Sequence, residues 1–225
     1  MQMARSFFCS QGLQYCRRVL LVAAALGFLL QPLAATDIYK IIKGGSLDEL
    51  RQALDSGLDI EADQGKGTPL LYAAYVGRQD KVKLLLERGA NINARRSDGR
   101  TALHMAANRS NRNMVELLLN AGAAPDLSDA VGNTPLIVAC SNFDIQVVAA
   151  ILKAKVNVNH KGQYGATPLI KAAEKGKVEI VQMLLEKGAD ISIREDFYHR
   201  NALETAEFFK HFHASQLIRD FAAGR

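Results

Sequence analysis

Few side chains in this sequence have reactive potential, and they are poorly grouped. Gly65-Lys66-Gly67-Thr68 has the glycine and lysine content of a phosphate-binding loop. Such a loop needs a glycine five residues before its Gly-Lys pair and a hydroxyl residue after the lysine. Ile60 and Gly67 occupy those places, so the stretch reads as a turn ahead of a helix. His211-Phe212-His213 is the one close histidine pair. Two residues apart on a helix, the rings point to different faces and chelate one metal ion poorly; His199 joins only through tertiary structure. HExxH, CxxC and G-x-S-x-G do not occur. Asn108-Arg109-Ser110 is a formal glycosylation sequon, relevant only in a eukaryotic secretory route. Nothing brings a nucleophile, a base and an oxyanion site together. No catalytic group, cofactor site or metal site is therefore expected.

The elements that carry these residues repeat. Thr68, Thr101, Thr134 and Thr167 lie 33 residues apart, each followed by Pro or Ala and then Leu. Ala73, Ala106, Ala139 and Ala172 keep the same phase, as do Val82, Val115, Val148 and Val181, and Leu86, Leu119, Leu152 and Leu185. A fixed period of this size means one supersecondary unit stacked on its own copies. Within each unit Thr caps a short helix, Pro fits its first turn, and the alanines let a neighbouring helix approach. A break follows, at Gly77 or Gly176 in two units, then a second apolar helical run. Gly89, Gly122 and Gly188 end that run as left-handed caps. Lys155 stands where those units have glycine, predicting backbone strain there and a gain in stability for Lys155→Gly. Cys140 replaces the alanine found at Ala74, Ala107 and Ala173, so it reads as a small buried thiol.

Helix, turn, helix and projecting loop at this period resembles the ankyrin repeat. Its signature is clearest in Thr101-Ala102-Leu103-His104-Met105-Ala106-Ala107, and it continues through Gly89-Ala90-Asn91-Ile92-Asn93-Ala94. The resemblance implies an all-α solenoid of helix-turn-helix units with projecting β-hairpin loops. It also implies that His104 ties neighbouring loops by hydrogen bonds, ties that should be weaker where Leu71, Ile137 and Ile170 replace it.

The expected organisation is a signal peptide over 1–35, an N-terminal degenerate capping repeat over 36–63, four repeats over 64–96, 97–129, 130–162 and 163–195, and a C-terminal capping repeat over 196–225. In the leader, Val19 to Leu30 is an apolar run after Arg17-Arg18, ending in small residues near Ala35. That is the layout of an export signal, and 12 apolar residues are too few to span a bilayer. Leu33 departs from the A-x-A cleavage pattern, which keeps an uncleaved anchor as a second reading. Two of the three cysteines, Cys9 and Cys16, lie in the leader, so the mature chain has no internal disulfide framework. The leader carries Arg5, Arg17 and Arg18 and no acid; without it the formal charge falls from +5 to +2, so the alkaline pI does not argue for nucleic acid. At the far end Asn201-Ala202-Leu203 restarts the pattern one residue late, and a last helix spans about Ala214 to Ala222.

Stacked repeats bind along an extended face. The resemblance places partner contacts on loop tips and first-helix ends, here Tyr75, Arg96, Ser97, Arg100, Asn108, Arg109, Asn133, Asn142, Tyr164, Glu174 and Lys175. The second unit is basic, through Arg95, Arg96, Arg100 and Arg109; this reads either as a solvated face of no special role or, more specifically, as a patch for an acidic protein surface. The expected molecule is a monomeric, non-enzymatic, exported module, periplasmic, binding a protein and neither nucleic acid nor, once the signal is removed, membrane. The alternative is a secreted bacterial effector that binds a host protein. A catalytic domain has no room, since repeats and caps fill nearly all of the 190 residues after the leader.

Overall fold

Threonine at the start of each unit does what its chemistry allows. In the computed structural model, which describes residues 37–224, Thr68, Thr134 and Thr167 sit extended at helix N-caps, and each hydroxyl accepts the N–H three residues on. The export leader lies outside the described residues. These hold twelve α-helices in six pairs and no strand. The pairs are α1 Ile38–Gly44 with α2 Leu47–Asp55, α3 Pro69–Val76 with α4 Gln79–Glu87, and α5 Ala102–Asn108 with α6 Arg112–Asn120. They continue as α7 Pro135–Asn142 with α8 Ile145–Ile151, α9 Pro168–Glu174 with α10 Val178–Glu186, and α11 Ala202–Phe208 with α12 Phe212–Ala223. No described helix is long and apolar enough to cross a membrane.

The first helices stack on one another in chain order, and the second helices form a layer behind them. Small residues make the first layer possible: Ala73, Ala74, Ala106, Ala107, Ala139, Cys140, Ala172 and Ala173 are all fully buried. Burial also pushes the Cys140 thiol far up, which removes it from thiolate chemistry. In the second layer the buried positions include Val82, Met114, Val115, Val147, Val148, Ile180 and Val181. Lys81 is the exception. It is in phase with Met114, Val147 and Ile180 and equally buried, and its ammonium donates to the carbonyls of Ile41, Ile42 and Gly45 at the end of α1.

Left-handed backbone falls at the break between helices in all four full units and in the C-terminal capping repeat: Gly77, Ser110, Phe143, Gly176 and Lys210 all have positive φ. Glycine is needed at Gly176, where an added Cβ would come within 2.5 Å of the His211 ring. Lys155, by contrast, does not have positive φ, contrary to the expectation of strain there. The reason is local. Helix α8 ends early, and Lys153 and Ala154 close a tight turn on Ala150 and Ile151 at 3.4 and 3.0 Å. The wide closure that needs a left-handed residue, Ala90 N–H to Leu85 O at 3.0 Å, has no counterpart at Lys155.

The connecting loops project as tight hairpin-shaped turns. Their bases close through Arg96 N–H to Arg100 O, Asp129 to Asn133, Gly162 to Ala166 and Glu195 to Arg200, at 2.8–3.0 Å. The last of these encloses one more residue than the others, which is the one-residue delay in the sequence. Neighbouring loops are joined by Ala130 N–H to Asp98 O at 2.9 Å and Asp196 N–H to Tyr164 O at 2.8 Å.

Candidate functional face

The loop tips are held from within by side-chain carboxylates. Asp63 accepts the N–H groups of Gly65 and Gly67 at 2.7 and 2.9 Å. These are the amides a phosphate would have needed, so the glycine-lysine stretch is a turn. Asp129 takes Val131 and Asn133 in the same way. Glu195 takes Phe197, Tyr198 and Arg200. Burial pushes Glu195 up, but these N–H groups outweigh it and hold its carboxyl below the usual range.

The return segments add a second ladder. Asn93 accepts Ala124 N–H at 2.9 Å, Asp126 accepts Asn157 N–H at 3.0 Å, and Asn159 accepts Asp190 N–H at 2.8 Å. The polar residues of these segments thus satisfy the backbone of the next unit. His104 does the same between units. Its Nδ1 accepts Thr101 N–H at 3.2 Å, which places the proton on Nε2, and Nε2 donates to Asn133 O at 2.9 Å. Burial pushes its pKa down, and the Asn133 carbonyl only partly opposes this.

The basic patch of the second unit is less open than its composition suggests. Arg96 pairs with Asp98, while Arg100 lies 3.8 Å from Asp98 and 3.6 Å from Asp129. Burial pushes Asp98 up, yet the Arg96 and Arg100 bonds win and lower its pKa. Arg95 donates to Ser128 O. Arg109 enters none of the ion pairs among the described residues and stacks on Tyr75 of the preceding unit, 4.9 Å from the ring centre. Ser97, Asn108 and Asn142 are exposed, and Asn142 donates to Asn108 O at 3.1 Å. Asn133 is half-buried and structural, accepting Gln163 N–H on Oδ1 at 3.0 Å. Glu174 lies between Lys171 and Lys175, and its pKa falls because these two outweigh its burial.

Tyr164 leads to a feature that sequence reasoning passed over. Beside it, Phe197, Tyr198, Phe208 and Phe209 are exposed and, with the buried Ala166 and Ile170, line a 540 Å³ groove between loop tips and first-helix ends. The signal was present in Val131, Tyr164 and Phe197, which share one phase of the repeat at successive tips. Among the described residues no group of three His, Cys, Asp or Glu is placed to hold a metal ion. His211 Nε2 lies 3.1 Å from Glu174 O.

Family models described as ankyrin repeats match along most of the chain, one over residues 9–96, 38–129 and 93–161 and another over 151–206. The E3 ubiquitin-protein ligase hecd-1 of Caenorhabditis elegans is 47% identical over 66 residues, 29% of this chain and 2% of that protein. Ankyrin repeat and SOCS box protein 11 of Danio rerio is 34% identical over 79 residues, 35% of this chain and 27% of that protein. Rabankyrin-5 of Mus musculus is 38% identical over 72 residues, 32% of this chain and 6% of that protein. The chain thus spans only a small part of the relatives it matches.

Proposed function

The chain belongs to the ankyrin-repeat family, whose repeats generally mediate protein–protein interaction, and on that premise we propose that it is a non-enzymatic scaffold that binds one protein through its loop tips and first-helix ends. One observation carries this reading. Backbone groups of the loops are satisfied by in-phase side chains, whereas Tyr75, Ser97, Asn108, Arg109, Asn142, Tyr164 and Lys175 break the repeat and are exposed on that rigid frame. Such preorganised display lowers the ordering cost of association. Arg109 on Tyr75 offers an acidic partner an unpaired guanidinium beside an aromatic ring. The leader supports export, with the periplasm as the destination and the bound state a monomer of this chain on its partner.

In-cell crosslinking of the tagged full chain, followed by identification of captured proteins in separated cell fractions, tests the reading. A protein captured from the exported fraction, and captured less well by Tyr75→Ala with Arg109→Ala, is the expected result. Absence of any captured protein above an untagged control would refute the scaffold, and recovery of the chain only from the cytosol with its leader intact would refute export.

A further inference from the structure

The exposed aromatic residues are concentrated at one end of the array. At the tip phase the exposed residue grows from Val131 through Tyr164 to Phe197, which are 50%, 65% and 68% exposed, and Tyr198 extends the row. Across the groove stand Phe208 and Phe209, 58% and 45% exposed. Exposed aromatic rings gathered in this way mark an interaction site.

Charge in the groove is one-sided. The two carboxylates that line it are engaged: Glu195 by three backbone N–H groups, Glu174 by Lys171 and Lys175. Arg200 is different. Its guanidinium lies 4.5 Å from the Tyr198 ring centre and 3.6 Å from that of Phe208, bridging tip and helix, and none of the ion pairs among the described residues includes it. An arginine stacked on rings keeps its N–H fork available for a carboxylate.

We propose that this groove docks a short segment of a partner protein that carries a large apolar side chain next to an acidic one. The apolar side chain enters between Phe197 and Phe208 over the floor of Ala166 and Ile170, and the carboxylate pairs with Arg200. Ala166 and Ile170 at the floor are nearly buried while the rings around them stand exposed, so a flat bilayer does not reach the floor, whereas a side chain does. This assignment rests on the scaffold reading and names the chemistry of its partner.

Panning a random-peptide phage library on the purified full chain tests it. Enriched peptides are expected to hold Phe, Leu or Ile within two positions of Asp or Glu. Labelled copies of them should bind about tenfold more weakly to Phe197→Ser and to Phe208→Ser, as for a central anchor. Arg200→Glu should weaken the acidic peptides similarly and favour versions with Lys in place of the acid. Both phenylalanines are more than half exposed, so circular dichroism should report folded variants; Tyr198→Ser, also exposed, replaces either if it does not fold. Enrichment of basic peptides, of peptides without an apolar anchor, or of none overturns the assignment, as does undiminished binding to the variants. Self-association of the wild type that Phe208→Ser abolishes also overturns it, since a second copy then fills the groove. If the crosslinked partner is captured equally by Phe208→Ser, the groove assignment fails while the scaffold stands. If no partner is captured yet the peptides bind as expected, the scaffold reading fails and the groove chemistry stands.

Discussion

The ammonium of Lys81 lies 2.7 Å from the carbonyl oxygen of Gly45 and 2.9 Å from that of Ile42. A lysine from the first full unit thus caps the C-terminal end of helix α1, where unpaired carbonyls and the helix dipole favour a cation. Burial pushes its pKa down, and nearby Arg78 adds to this. Lys81→Met puts the residue of the second unit in its place with little change in volume but leaves those carbonyls unsatisfied. The expected cost is about 1–3 kcal/mol. Hydrogen exchange should quicken at α1 and α2 and stay unchanged at α9 to α12; uniform protection along the array would refute the cap.

His104 makes stability depend on pH. Its folded-state pKa lies below the ordinary value near 6.5, so the unfolded chain takes up this proton first as pH falls. The contribution is complete above about pH 6.5 and is lost from there down to the folded value. The physical event is protonation of Nδ1, which expels the Thr101 N–H it accepts. His104→Leu, matching Leu71 of the unit before, should cost about 1 kcal/mol at neutral pH and flatten the loss just below 6.5. Urea midpoints measured near pH 7.5 and about pH 5.5 read both effects.

Period alone made most of the fold legible. Thr68 with Pro69, the paired alanines and Gly89 each state a local geometry, and their recurrence at 33 residues states the stacking. Lys81 was hidden because lysine reads as a surface residue, and its partners are backbone carbonyls some 40 positions away that no side-chain pattern announces. The aromatic groove was hidden because one extra residue before Asn201 puts Phe208 out of phase with Glu174 and Asn108, so its place on the same face does not show in an alignment by period. The basic patch was over-read because Asp98 folds back on Arg96 two residues away in the same turn, and Asp129 comes to Arg100 only once the loops stack.

Asn133 and Arg109 were grouped by sequence but should separate in experiment. Asn133 links its neighbours, through Oδ1 to Gln163 and through its carbonyl to His104. Asn133→Ala should lower stability by about 1 kcal/mol and leave capture of a partner unchanged where the array is folded. Arg109→Ala removes only an exposed stack on Tyr75, so its stability cost should stay within about 0.5–1 kcal/mol while capture weakens. Melting curves and crosslinking yields for the two variants check this; equal behaviour in both assays would erase the distinction.

Backbone strain should respond to glycine where φ is positive and not where the repeat pattern alone suggested it. Ser110 has φ 54° at the break between α5 and α6, the place that Gly77 and Gly176 fill in other units. A non-glycine residue there carries roughly 1–2 kcal/mol of strain, set against about 0.5–1 kcal/mol for the extra freedom of glycine in the unfolded chain. Ser110→Gly should therefore raise stability by up to about 1 kcal/mol. Lys155 has no such strain to relieve, because α8 has already ended in a tight turn on Ala150 and Ile151. Only the entropic loss remains, and Lys155→Gly should lower stability by about 0.5–1 kcal/mol. Denaturant midpoints of the two variants, measured side by side, should move in opposite directions. A gain for Lys155→Gly would mean that the turn after α8 closes with a left-handed residue after all.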